Sequence, residues 1–234
     1  MCYNLVMHKI AVVIYGPPGS GKGTQANLLA LSHGLIHFDS GRFIEFLLKD
    51  PRNAGDPVID RQRALFEKGE LCETEWVMDV IGRQTKKIVA ADFGIVLSGS
   101  PRTFFEAFGD DKTKGILPLL QEAYGKEDVH VVFLRVEDKV SIERNSHRKL
   151  CTTCGTQLIN NPELVNPFCP FCGGSLYTRV FDNEAKIVIR LEEFRKKTLP
   201  ILEELPRRGI KLAEVNGELL PYLVHREIVE KSSV

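Results

Sequence analysis

The sequence predicts an α/β fold: a parallel sheet with helices on both faces and two inserted segments. Three observations predict it. Short continuous apolar runs recur at residues 10–15, 95–97 and 130–134, the pattern of strands buried on both faces. Helical patterns lie between these runs, and such alternation implies parallel pairing through crossovers. Two stretches, 40–87 and 151–174, are too long or too irregular to be crossovers and read as inserts.

Taken in order, residues 10–15 (IAVVIY) are rich in β-branched side chains and end at Gly16. Residues 1–14 are apolar, but His8 and Lys9 interrupt them and glycine and proline follow at once. They read as a strand rather than a signal peptide. Residues 22–32 read as a helix closed by Gly34. Residues 40–87 are largely helical, with Phe43, Phe46, Leu47, Trp76, Val77, Val80 and Ile81 at apolar positions. Residues 182–205 read as one long helix whose buried stripe is Ile187, Leu191, Phe194 and Leu202, with a kink at Pro200. Residues 210–215 are the expected last strand and 218–231 the closing helix.

Composition narrows the function. Lys plus Arg and Asp plus Glu both number 31, so the net charge is zero. That argues against non-specific binding to nucleic acid or a membrane surface, which needs a basic excess. No apolar run reaches the length of a bilayer span, and a cytoplasmic location is expected. Cys151, Cys154, Cys169 and Cys172 form two CxxC pairs with fourteen residues between them. In a cytoplasmic chain that spacing favours zinc over disulfides. Four thiolates would close a tetrahedral site, so the zinc is expected to be structural. Cys2 and Cys72 stand apart as simple thiols.

The first strand runs into Gly16-Pro17-Pro18-Gly19-Ser20-Gly21-Lys22-Gly23-Thr24-Gln25 and then a helix. Glycines at this junction let backbone N–H groups curl around a phosphate, and the helix dipole adds positive potential. Lys22 can reach β- and γ-phosphates, and the Thr24 hydroxyl can face phosphate or magnesium. The strict Walker pattern places Ser or Thr directly after Lys; here Gly23 intervenes.

This loop resembles that of the adenylate kinases and related nucleoside monophosphate kinases, in which Gly after Lys and then Thr-Gln is usual. The resemblance continues down the chain through Ser40-Gly41, Gly99-Ser100-Pro101-Arg102-Thr103, the pair Arg144 and Arg148, the four cysteines, and Arg179, Asp182 and Arg190. It implies a P-loop core of residues 1–39, 88–143 and 180–234, a helical acceptor-binding insert of 40–87 and a zinc-bound lid of 144–179. It also implies phosphoryl transfer from Mg-ATP to a nucleoside monophosphate, with AMP the expected acceptor, and a monomeric enzyme. On the resemblance, Gly16, Gly19, Ser20, Gly21, Lys22, Gly23 and Thr24 cradle ATP, and Arg144 covers its adenine. Arg102 holds the acceptor phosphate, while Arg148, Arg179 and Arg190 bridge donor and acceptor. Ser40, Gly41, Glu45, Gly99 and Glu106 border the acceptor.

Five positions depart from the family pattern. Arg42 and Ser98 stand where carboxylates support magnesium, and Phe181 where an Asp precedes Asp182. Glu45 stands where an Arg grips the acceptor phosphate, and Glu106 where a Gln reads adenine. An ionised Glu106 could only accept hydrogen bonds, which on this contact alone suits guanine better. The alternatives are therefore a kinase for another monophosphate such as GMP, or a degenerate ATP-binding module. A zinc-ribbon nucleic-acid binder is disfavoured by the neutral charge.

Overall fold

The computed structural model describes residues 9–159, 167–178 and 182–232. Arg179 and Phe181 lie outside them. Five strands, β1 (Ala11–Tyr15), β2 (Ile36–Asp39), β3 (Ile95–Ser98), β4 (Val129–Arg135) and β8 (Leu212–Asn216), form a sheet in the order β2-β3-β1-β4-β8, parallel throughout. Every residue of β1 and β3 is buried, because both faces of the sheet are covered. Val13, Leu97 and Val131 belong to the core on one face; Val12, Ile14, Val96 and Val132 belong to the core on the other. The continuous apolar runs of the sequence are the consequence.

Helix α1 (Lys22–His33) follows β1 and ends at Gly34 in the left-handed conformation. The segment after β2 holds three helices, α2 (Ser40–Lys49), α3 (Pro57–Lys68) and α4 (Thr74–Ala90). Asp39 caps α2 by accepting from the Arg42 N–H at 3.0 Å, and Asp56 caps α3. Helices α5 (Phe104–Phe108), α6 (Ile116–Tyr124) and α7 (Asp138–Ser146) precede the cysteine-rich insert. That insert carries a small antiparallel sheet of β5 (Arg148–Cys151), β6 (Gln157–Ile159) and β7 (Leu176–Tyr177) in the order β6-β5-β7.

The long helix expected over 182–205 is interrupted. Helix α8 (Glu184–Glu193) gives way to a π-helical turn, Phe194–Thr198, and then to α9 (Leu199–Glu204). Pro200 cannot donate its backbone hydrogen bond, and the wider turn absorbs the mismatch. The closing helix α10 spans Pro221–Ser232. Strand β2 was not expected from the sequence. It is only four residues long and carries His37 and Asp39 on one side, so it shows no sustained apolar period.

Candidate active site

The turn from β1 to α1 emerges at the carboxyl end of the central strand, where open parallel sheets bind ligands. Helix α1 begins at Gly21, in the left-handed conformation, with no side-chain cap. Its first-turn N–H groups are thus available to an anion. Gly19 has φ +76, and a Cβ there would collide with the Asn145 side chain and lie 2.9 Å from the Ser141 carbonyl. The loop therefore packs directly on α7, and the Ser141 hydroxyl donates to the Pro18 carbonyl. Lys22 folds back into the loop, where its Nζ donates to the Gly16 and Pro17 carbonyls, each at 2.7 Å.

A cleft of about 890 Å³ opens in front of this loop. Gly16, Lys22, Gly41, Gly99, Arg102 and Arg190 line it. Burial pushes the Lys22 ammonium well below the usual lysine range. The charges of Arg102, Arg190 and Arg148 push it further down, and the Asp39 carboxylate opposes them. Lys22, Arg102 and Arg190, from three chain segments, thus face one space, with Arg148 near enough to act on Lys22, an arrangement that calls for a polyanion.

Backbone geometry holds the arginines. Gly99 has φ +98, and a Cβ there would lie 2.8 Å from Ser40 Oγ and 3.3 Å from Arg102 Nη2. The missing side chain lets the end of β3, the start of α2 and the Arg102 guanidinium meet. Ser40 Oγ donates to the Ser98 carbonyl at 3.2 Å, Arg102 Nε donates to the Gly99 carbonyl, and Thr198 Oγ1 donates to the Arg102 carbonyl at 2.8 Å. Arg148 is buried and bidentate on Asp182, Nε to Oδ2 at 3.0 Å and Nη2 to Oδ1 at 2.6 Å. Arg190 Nη1 lies 3.7 Å from the same Asp182 Oδ1. The π turn brings Phe194 and Thr198 to the cleft wall.

Other residues expected at the site are not among those lining this cleft. Glu45 is buried, accepts from Lys49 Nζ at 2.7 Å one turn along α2, and is not among the residues lining the cleft. Arg42 reaches the cysteine-rich insert: a Cβ on Gly155 would overlap its guanidinium. The insert also reaches the phosphate loop, since a Cβ on Gly23 would stand 2.9 Å from Gln157 Nε2. Arg144 donates to the Gly217 and Glu218 carbonyls at 2.7 and 3.1 Å, beside the loop after β8. Glu106 is 2% exposed, and its Oε2 accepts from the Arg102 backbone N–H at 2.7 Å.

Two features escaped the sequence. Asp39 ends β2 in register with Ser98 on β3 and acts electrostatically on Lys22. His37 links Asn27 to Ser98: its Nδ1–H donates to Asn27 Oδ1 at 2.6 Å, and its Nε2 accepts from Ser98 Oγ at 2.7 Å. A carboxylate ending a strand beside the phosphate loop is a readable signal, but only once β2 is recognised.

The sulfurs of Cys151, Cys154, Cys169 and Cys172 lie within 4.8 Å of one another. Cys151 and Cys172 are 3.4 Å apart, and Cys154 and Cys169 are 3.7 Å apart. Tetrahedral zinc–thiolate bonds require about 3.8 Å between sulfurs. The N–H groups of Thr153 and Cys154 point at Cys151 Sγ at 3.3 and 3.4 Å and hold that thiol below its ordinary range. Gly155 and Gly173 follow their CxxC pairs with φ +71 and +72, which turns the knuckles. The donor set fits zinc, with its thiolates partly pre-bonded.

The family model described as adenylate kinase matches residues 14–210. The adenylate kinase of Bacillus subtilis (strain 168) is 32% identical over 88% of this chain and 90% of its own length. Adenylate kinases of Novosphingobium aromaticivorans and Methanothrix thermoacetophila are 34% and 35% identical, each over 88% of this chain, covering 91% and 90% of their own lengths. With the glycine loop, the converging cations and the four-cysteine insert on one parallel sheet, the chain belongs to the adenylate kinase family of nucleoside monophosphate kinases.

Proposed function

We propose that this chain transfers the terminal phosphoryl group of Mg-ATP reversibly to AMP, giving two ADP, with the residue roles that follow. The observation that carries those roles is the convergence of Lys22, Arg102 and Arg190 on one cleft, with Arg148 close enough to act electrostatically on Lys22. Phosphoryl transfer asks mainly for alignment of donor and acceptor and for positive charge where negative charge spreads. The acceptor phosphate is already anionic, so no general base is needed. Gly16, Gly19, Ser20, Gly21, Lys22, Gly23 and Thr24 would cradle the donor phosphates, with Arg144 beside its base. Arg102 would hold the acceptor phosphate. Arg148 and Arg190 would span the two, joined by Arg179. Ser40, Gly41 and Gly99 would let the acceptor approach Arg102, and residues 144–179 would cover the site as a lid.

Magnesium, when bound with ATP, neutralises charge between the phosphates. The Thr24 hydroxyl and, through water, the Asp39 carboxylate would hold it. Asp39 is the carboxylate that acts on Lys22, whereas the Ser98 hydroxyl is committed to His37. Zinc on Cys151, Cys154, Cys169 and Cys172 would hold the lid together and take no part in transfer. Among the described residues, no helix is long and apolar enough to cross a membrane.

The test is ADP formation by wild type and Lys22→Met on AMP, GMP, CMP and UMP. Lys22→Met should keep its fold and lose on the order of 10²–10³-fold or more in turnover, as when one preorganised electrostatic contact is removed. Near-full turnover in Lys22→Met would exclude this loop as the catalytic cradle.

A further inference from the structure

Helix α2 meets the cysteine-rich insert along one face. Arg42 lies against Gly155, the residue that follows Cys154, so closely that a Cβ on Gly155 would overlap Nη1 and Cζ. Two turns along α2, Lys49 Nζ stands over the Tyr177 ring, 6.0 Å from its centre. Residues seven apart share a helix face, and Tyr177 ends β7 of the insert. Two cations of the acceptor segment thus face the two halves of the insert, one of them at a zinc knuckle.

That knuckle is where zinc would concentrate charge. A divalent cation held by four thiolates is an anionic centre, with two negative charges in excess. The backbone N–H groups on Cys151 Sγ contribute dipoles to it but no charge. A guanidinium stays ionised throughout the working pH range. The Arg42 backbone N–H is taken by Asp39 Oδ1, and among the described residues no carboxylate forms an ion pair with its side chain. Its charge is therefore free to act on the knuckle.

We propose that Arg42 is a charge partner of the zinc–thiolate centre and docks the insert onto α2, so that zinc loading and closure of the insert over the acceptor segment favour one another. This rests on the zinc reading given above. Linkage makes the effect reciprocal: whatever docked Arg42 contributes to zinc binding, zinc contributes to docking. Arg42 and Cys154 are both exposed, so water and salt screen the attraction and its magnitude is modest. Arg42 is in this sense a positioning residue, acting on the insert rather than on a substrate.

The test uses the full-length protein and zinc alone. Zinc affinity is measured by competition with a chromophoric chelator at about 0.05 M and about 0.5 M salt. The proteins are wild type, Arg42→Gln, Arg42→Lys and Lys86→Gln, the last removing an exposed cation on α4. At low salt Arg42→Gln should bind zinc about threefold or more weaker than wild type. The difference should shrink at high salt, Arg42→Lys should recover most of it, and Lys86→Gln should match wild type. With zinc saturating, amide hydrogen exchange over residues 40–49 should be faster in Arg42→Gln than in wild type or Arg42→Lys, because the docked faces part more often. Equal zinc affinity in wild type and Arg42→Gln overturns the proposal. So does a loss that high salt leaves unchanged, that Arg42→Lys fails to restore or that Lys86→Gln shares, and so does unchanged exchange. If wild type binds zinc in those cases, only the role of Arg42 falls. If wild type binds no zinc, the zinc reading falls with it.

Discussion

Removing the Asp182 carboxylate should damage the fold and the site together. Its side chain is fully buried, it accepts two hydrogen bonds from Arg148, and Arg190 lies within ion-pair distance. Asp182→Ala leaves the Arg148 charge inside the protein, close to Arg102, Arg190 and Lys22. Losing one partner of a buried pair costs about 3–5 kcal/mol, because the other charge is left uncompensated. At about 2–4 °C per kcal/mol in a chain of this size, Tm should fall by about 6–20 °C. Calorimetry or circular dichroism measures this, with and without ATP. Nucleotide phosphates bring the missing negative charge, so ATP should raise the Tm of Asp182→Ala more than that of wild type. Replacing both partners, Arg148→Met with Asp182→Leu, should recover most of the stability but not the activity, since an apolar pair can substitute for a buried ion pair. A single-variant loss below about 1 kcal/mol, or a double variant no more stable than the single, would refute the reasoning.

Three other outcomes are expected. Elemental analysis should find one zinc per chain, and chelation or Cys169→Ser should lower thermal stability, because metal binding energy is folding energy in such small knuckles; a metal-free protein with unchanged melting would give these cysteines another role. Asp39→Asn should raise the magnesium concentration needed for half-maximal turnover, and superimposable magnesium curves would exclude Asp39 from the metal's surroundings. Burial holds His37, His130 and His225 below the ordinary 6.5 in the folded chain. As pH falls through 6.5 the unfolded chain takes up those protons first, so stability should be full above 6.5 and decline below it. His37→Gln should flatten part of that slope in denaturant titrations at several pH values, and an unchanged slope would mean that His37 titrates normally.

Much of the site was legible because it is local. A β-branched run, a glycine turn and a helix follow one another within residues 10–33, and each is set by its own neighbours along the chain. The CxxC pairs are equally local, and the sulfurs do converge. Glu45 was less legible. Its position on α2 follows from helix spacing, but the partner that holds its carboxylate, Lys49, is a matter of rotamer and packing. Strand β2 was too short to show a period, and with it the placement of Asp39 went unread. Arg42 was visible as a departure, but its contact with Gly155 joins segments more than a hundred residues apart.

The sequence by itself determined four of the five strands of the parallel sheet, the glycine loop, the four-cysteine knuckles and the arginines available to the site. Those depend on backbone preference, apolar period and the chemistry of single side chains, which neighbouring residues decide. The tertiary structure alone decided which charges are paired and which carboxyls are dry. Arg148 meets Asp182 across 34 residues of chain. Glu106 is buried because α2, α4 and the segment after α3 close over it. Solvation and Coulomb energy depend on distance in space rather than along the chain, so the burial of Glu106 and the pairing of Arg148 become readable only once the segments have packed.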